Sequence, residues 1–177
     1  MLEVSLLGPL DVRRDGEVLR IPGGKTAEVL VRLALDAGTV VRTDRLVEEL
    51  WADDAVNTRR NTLQSKVAKL RRALGEPSVV LSRDDGYLLD IEASDIDVHA
   101  VLSDATAASR LLDEGDDRGA ATLAASALAR FGADLIPSTT GEWVASHRAR
   151  LESTHATLLE VGLTARVRLG ETTDVIG

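Results

Sequence analysis

Residues 57–74 read NTRRNTLQSKVAKLRRAL, and the rest of the chain is best understood from this stretch outward. It carries six basic residues (Arg59, Arg60, Lys66, Lys69, Arg71 and Arg72) and no acidic one, in a protein of formal net charge −8. Leu63, Val67, Leu70 and Leu74 recur at i, i+4, i+7 and i+11, the spacing of one stripe along an α-helix. At about 100° per residue, Asn61, Ser65, Ala68, Lys69 and Arg72 fall on the opposite face. Gln64 and Arg71 lie on one flank, Thr62 and Lys66 on the other. Such a helix buries its leucines and presents amides, a hydroxyl and cations outward. Those groups can read base edges and hold phosphates in a major groove. Ala68, small and central on that face, permits close approach. The competing reading is a solvated basic face on a surface helix, and the flanking segments decide between the two.

The chain has 177 residues, 44% hydrophobic and 28% charged, enough for one or two domains with a real core. It contains no cysteine, which excludes disulfides and thiolate metal sites. No apolar run has the length of a membrane span and no signal-peptide pattern opens the chain, so a cytoplasmic protein without membrane contact is expected. The acidity is unevenly placed. Residues 1–92 hold 14 Lys+Arg against 16 Asp+Glu, and residues 93–177 hold 7 against 13. A local basic helix can still hold a phosphate backbone on such a protein.

Upstream, residues 2–12 read as a strand bent at Gly8-Pro9. An Asp15-Gly16 turn then leads into a second strand at 18–21, predicting a β-hairpin. Residues 25–37 form an amphipathic helix closed by Gly38. Residues 39–41 are an extended link, and Thr43 is placed to N-cap a helix running to Trp51. A polar loop at 53–56 precedes the basic helix, which stops at Gly75-Glu76-Pro77. Downstream, Val79-Val80-Leu81 and Tyr87-Leu88-Leu89 flank SRDDG and predict a second hairpin. Three helices followed by a hairpin make an α+β winged helix-turn-helix with a small N-terminal sheet, its third helix suited to the major groove and the hairpin to the wing.

From Asp95 the chain turns Ala- and Leu-rich and shows no strand pattern. Helices are expected over 97–112, 118–131 and 142–169, the first two as an antiparallel pair. In the long helix Trp143, Leu151, Leu158, Leu159 and Leu163 are the inward candidates, Trp143 as the anchor of this helical unit. Gly162 is a place for it to bend or split. The final ETTDVIG opens a further element, so the chain reads as part of a longer protein. The expected division is residues 1–92 as the DNA-binding unit and 95–177 as a partner-binding unit.

The pieces LLGPLDVRRDGE (6–17), GGKTAEVLVRLALDAGTVVRTDRLVEELW (23–51), NTLQSKVAKLRRALG (61–75), GYLLD (86–90) and DIDVHAV (95–101) occur in this order. Together they resemble the SARP-type actinobacterial antibiotic regulatory proteins. That resemblance implies a winged helix joined to an all-α, tetratricopeptide-like bacterial transcriptional activation domain. It further implies binding to direct repeats in promoters and recruitment of RNA polymerase; a second copy on the neighbouring repeat, forming a homodimer on DNA, is a partner expected of the acidic helical half. Carried onto this sequence, the resemblance assigns base contacts to Gln64, Ser65 and Lys69 and phosphate contacts to Lys66 and Arg71. Asn61 joins the base set from its place on the outward face. Arg60, Arg72, Lys25 at a helix start and Arg83, the one basic residue of the wing, join the phosphate set. Leu88 follows the wing tyrosine, where many response-regulator relatives carry an arginine for the minor groove. The chain starts at the first strand of the winged helix, so aspartyl-phosphate control within it is not expected.

Catalytic readings find little support. Gly23-Gly24-Lys25-Thr26 suggests a P-loop, but that motif requires glycine where Leu19 stands. His147 and His155 lie about 12 Å apart along one helix, beyond shared metal ligation, and no cofactor is implied. A protein-interaction scaffold and the regulatory front of a larger ATPase or cyclase are the alternatives to a DNA-binding regulator.

Overall fold

The computed structural model describes residues 1–51, 56–136, 139 and 141–171. Three short strands open the chain: β1 (Leu2–Ser5), β2 (Asp11–Arg14) and β3 (Glu17–Val18), an antiparallel sheet in the order β1-β2-β3. The single bent strand expected over 2–12 is thus two strands, with Val4 opposite Val12. Pro9 offers no amide donor, and the Leu6 and Leu7 amides bond a side chain instead of a strand, so the chain folds back here. Asp15 and Gly16 both take positive φ, 51° and 84°, as a two-residue type I′ turn requires.

The winged unit follows. Helix α1 (Lys25–Leu35) is central: Val29, Leu30, Val31, Leu33 and Ala34 are fully buried. β4 (Val41–Arg42) leads directly into α2 (Thr43–Leu50). Arg42, not Thr43, takes the N-cap position without a side-chain bond, and the Thr43 amide donates to the Asp85 carbonyl at 2.8 Å. Helix α3 (Val56–Leu74) packs on α1 and α2 and closes at Gly75, φ 73°. Val56, assigned to the polar loop from sequence, already belongs to α3; the rest of that loop lies outside the described residues. β5 (Val80–Arg83) and β6 (Gly86–Leu89) form the expected hairpin, joined by β4 in a sheet of order β4-β6-β5. Gly86 is needed where β6 meets β4, since a Cβ there would stand 2.4 Å from the Val41 carbonyl oxygen.

Helices α4 (Asp97–Asp113), α5 (Asp117–Leu128) and α6 (Glu142–Arg168) pack against one another. Asp116 caps α5 by accepting from the Gly119 amide at 2.9 Å. Small residues line the seam, among them Ala105, Ala108, Ala120, Ala124 and Ala165. Gly162 does not split α6. It faces the Ala124 methyl, and a Cβ at 162 would sit 3.5 Å away, so the pair lets α5 and α6 approach closely. Leu151 and Leu158 are buried as expected, whereas Leu159 (44% exposed) and Leu163 (47%) point outward with Val167. The buried side of α6 is formed instead by Val144, Leu151, Leu158, Val161 and Ala165. The new element expected near the end falls on 172–177, outside the described residues.

One continuous apolar core runs through both halves. Ile96 bridges in parallel to Val4 of β1. The Asp97 carboxylate accepts from the Leu6 amide at 2.8 and 2.9 Å and from the Leu7 amide at 3.0 Å. Burial pushes its pKa up, outweighing the amide bonds that favour the anion. His99 Nε2–H donates to the Ala34 carbonyl at 2.8 Å. The loop after α5 docks on the N-terminal segment: the Gly132 amide donates to the Leu7 carbonyl at 2.7 Å and the Ile136 amide to the Leu6 carbonyl at 3.0 Å. Arg148 holds that loop by donating to the Leu135, Ile136 and Thr139 carbonyls at 2.9, 2.7 and 2.6 Å.

Arg32 sits at the centre of the junction, 0% exposed. It pairs with Glu49 of α2 and, at 2.7 Å, with Asp36, and lies 5.6 Å from the centre of the Trp143 ring. Trp143 therefore anchors the seam between the halves, not the helical unit alone. Burial, ahead of the charges around it, lowers the His147 pKa.

Candidate nucleic-acid interface

The leucine stripe fixes how α3 is presented. Leu63, Val67, Leu70 and Leu74 are each at most 1% exposed, so rotation of the helix about its axis would strip the core. Burying each such side chain is worth about 1.5–3 kcal/mol. The opposite face is consequently outward: Asn61, Gln64, Ser65, Ala68, Lys69 and Arg72 are exposed and Lys66 is half-buried. Exposed amides (Asn61, Gln64), a hydroxyl (Ser65) and an ammonium (Lys69) share one surface about a methyl-sized centre at Ala68. Gln64 can donate and accept at once, matching adenine N6 and N7, and Lys69 can donate to guanine O6 or N7.

The cations differ in how they are engaged. Arg60 pairs with Asp44 of α2 at 2.5 Å, both exposed. Lys25 pairs with Glu28 at 2.8 Å within the first turn of α1. Arg72 makes one long bond, 3.3 Å, to the Ala68 carbonyl. An exposed pair such as Arg60–Asp44 is worth about 0–1 kcal/mol, so a phosphate oxygen can replace that carboxylate at small cost, whereas Glu28 is only 12% exposed and holds Lys25 from a largely buried position. Among the described residues, no hydrogen bond or ion pair engages the side chain of Lys66, Lys69 or Arg83. Arg71 is different: its Nε–H donates to the Val80 carbonyl at 2.8 Å and Nη2 to Ser82 Oγ at 3.0 Å, both on β5. The backbone thus gathers Asn61, Gln64, Ser65, Lys66, Lys69 and Arg72 on one helix with Arg83 on the adjoining hairpin. Lys25 stands at the start of α1.

At the wing, Arg83 and Gly86 are paired residues and Asp84-Asp85 form the turn, Asp84 with φ 38°. Asp85 bonds Arg42 at 2.7 Å, so one of the two tip carboxylates is neutralised from within the protein. Arg42 was not singled out from the sequence. In the sequence it falls between the extended link at 39–41 and the helix start at Thr43, and only its pairing with Gly86 brings it to the wing. Its guanidinium is 65% exposed and also lies 3.7 Å from Asp44, which in turn holds Arg60. Among the described residues no group of three or more metal-ligating side chains forms, and no helix is long and apolar enough to cross a membrane.

Comparison with known proteins adds to this geometry. The C-terminal domain of transcriptional regulatory proteins matches residues 22–89, and the bacterial transcriptional activator domain matches 96–177. Regulatory protein DnrI of Streptomyces peucetius is 31% identical over 190 residues, spanning 96% of this chain and 66% of DnrI. Transcriptional regulator RedD of Streptomyces coelicolor is 28% identical over 166 residues, spanning 90% of this chain and 47% of RedD. Regulatory protein AfsR of Streptomyces griseus is 26% identical over 96% of this chain, which spans 17% of AfsR. The chain is therefore shorter than each of these relatives. The structure of Mycobacterium tuberculosis EmbR in complex with a low affinity phosphopeptide superposes with TM-score 0.92 at 24% identity, over 99% of this chain and 48% of EmbR, a likeness of fold.

Proposed function

The chain belongs to the SARP-type transcriptional regulators, a family of regulators and not of enzymes, and from that premise we propose that it binds promoter DNA in the cytoplasm through α3 and activates transcription through its helical half. In this reading α3 enters the major groove, and Asn61, Gln64, Ser65 and Lys69 meet base edges. Lys25, Arg60, Lys66, Arg72 and Arg83 hold phosphates, with the β5–β6 wing beside the helix. The family resemblance adds Arg71 to the phosphate set, although two of its nitrogens already bond the wing. The observation that carries the reading is the division of α3 itself: a fully buried leucine stripe and, opposite it, an exposed face of amides, hydroxyl and cations.

Residues 1–92 would then be the DNA-binding unit and 95–177 the activating one. The second half is acidic, 7 Lys+Arg against 13 Asp+Glu over 93–177, so most of its surface repels DNA and suits protein partners. A second copy on a neighbouring direct repeat and RNA polymerase are the partners of this proposal. The continuous core makes the two units one body, so contacts made by the helical half are transmitted without a flexible linker.

The test is selection of bound duplexes from random-sequence DNA with the whole chain, followed by transcription in vitro from the selected site placed upstream of a promoter. A defined repeated motif and stimulated transcription are expected. Recovery of no motif would refute sequence-specific binding, and a motif bound without stimulation would refute the activating role.

A further inference from the structure

We propose that Arg71 is a positioning residue for the wing, and that it serves DNA binding through Arg83 instead of holding a phosphate itself. The inference rests on the reading of α3 and the β5–β6 hairpin as the DNA-binding surface. Arg71 projects from the flank of α3 towards β5, and its guanidinium is spent there: Nε–H on the Val80 carbonyl at 2.8 Å and Nη2 on Ser82 Oγ at 3.0 Å. Among the described residues β5 is an edge strand, hydrogen-bonded on one side to β6 and to no strand on the other. An edge strand carries unpaired backbone groups, and a planar fork of donors from a neighbouring helix satisfies them while fixing distance and angle. Ser82 immediately precedes Arg83, and Arg83 pairs with Gly86 across the tip. The fork therefore ties the last turns of α3 to the residue beside Arg83, the basic side chain of the β5–β6 hairpin. Recognition helix and wing are set at one spacing, so that a phosphate met by Arg83 stands in register with the groove entered by α3.

This geometry separates two roles that a single alanine substitution confuses. Each phosphate contact contributes about 0.9 to the slope of log K against log salt. If Arg71 held its own phosphate, Arg71→Ala and Arg83→Ala would each flatten the slope by about 0.9, and the double variant by about 1.8. If Arg71 positions the wing, each single variant loses the same Arg83 contact, and the double variant flattens the slope by about 0.9 only. Arg71→Lys adds an independent readout at little risk to folding. Lysine keeps the charge but cannot span the Val80 carbonyl and Ser82 Oγ with a rigid fork.

The experiment measures the affinity of the whole chain for its selected duplex across a salt series, for wild type, Arg71→Ala, Arg71→Lys, Arg83→Ala, Arg71→Ala/Arg83→Ala and Lys66→Ala. Positioning predicts that Arg71→Lys behaves as Arg71→Ala, and that the double variant is no flatter than Arg83→Ala. Additive slopes, or wild-type binding by Arg71→Lys, would overturn it. Lys66→Ala separates the two levels of the claim. A wild-type slope in Lys66→Ala would strike the DNA-binding reading of α3, whereas additivity of Arg71 and Arg83 with a flattened Lys66→Ala strikes the positioning role alone.

Discussion

Replacing Arg32 with alanine tests how firmly the two halves are joined. The side chain is 0% exposed and pairs with Glu49 and Asp36, with its guanidinium carbon 5.6 Å from the centre of the Trp143 ring. Breaking a buried ion pair by removing one partner costs about 3–5 kcal/mol, because the other charge is left uncompensated. Here the penalty is relieved on both sides. Glu49 keeps Arg45, whose Nε–H lies 2.8 Å from it, and Asp36 is 33% exposed and can rehydrate. The expected loss for Arg32→Ala is therefore about 3 kcal/mol, at the lower end of that range. Part of it comes from the indole: a desolvated cation over tryptophan is worth about 2 kcal/mol. Arg32→Ala and Trp143→Ala should thus be non-additive, with a coupling energy of about 1–2 kcal/mol. Urea unfolding of the four proteins of the cycle, at constant m-value, reads both quantities. Since Arg32 lies on α1 and Trp143 opens α6, the coupling measures the link between the winged unit and the helical one. A loss below about 1 kcal/mol for Arg32→Ala, or strict additivity with Trp143→Ala, would refute the reasoning.

The Asp97 carboxylate serves two amides, so Asp97→Ala should cost about 2–4 kcal/mol at about 1–3 per orphaned donor, partly offset by loss of a desolvated charge; unchanged urea stability would contradict this. His147 lies among Asp36, Glu49, Arg32 and Arg150, and burial lowers its pKa below the usual 6.5. Its contribution to stability is present above that value and lost as pH falls through the lowered one, so His147→Gln should flatten the decline in unfolding free energy below pH 6.5; parallel pH profiles would count against it. Gln64→Ala should erase preference at one base position per half-site, worth about 1–3 kcal/mol, with non-specific affinity retained, and an unchanged selected motif would exclude a base contact. Gly86→Ala should weaken the β4–β6 pairing and lower the thermal midpoint, since its Cβ would meet backbone at 2.4 Å; an unaltered midpoint would show that the strands can move apart freely.

The parts of this molecule legible in its sequence are those governed by local periodicity and turn chemistry. The stripe Leu63, Val67, Leu70, Leu74 specifies both the helix and its buried side, and Asp15-Gly16 specifies a turn that only positive φ permits. What escaped is set by distant partners. Residues 2–12 carry one apolar pattern, and the reversal at Gly8-Pro9 depends on Asp97, about ninety positions later, accepting the Leu6 and Leu7 amides. Leu159 and Leu163 satisfy a helical repeat as well as Leu158 does, and only the placement of α4 and α5 decides which side of α6 is inner. Arg42 and Arg71 look like any surface arginines until β4 joins the wing and β5 runs beside α3. A charge on a helix flank is visible in sequence; whether it is already engaged is a tertiary fact.

The central claim, that α3 is a DNA-reading helix, is tested most directly by the affinity of the whole chain for its selected duplex as salt is raised, in wild type and Lys66→Ala. Lys66 is half-buried on the flank of α3, and among the described residues no hydrogen bond or ion pair engages its side chain. The account predicts a steep linear fall of log K with log salt for wild type, flattened by about 0.9 in Lys66→Ala, with the selected motif unchanged. A salt-independent affinity, or a slope that Lys66→Ala leaves untouched, would contradict it.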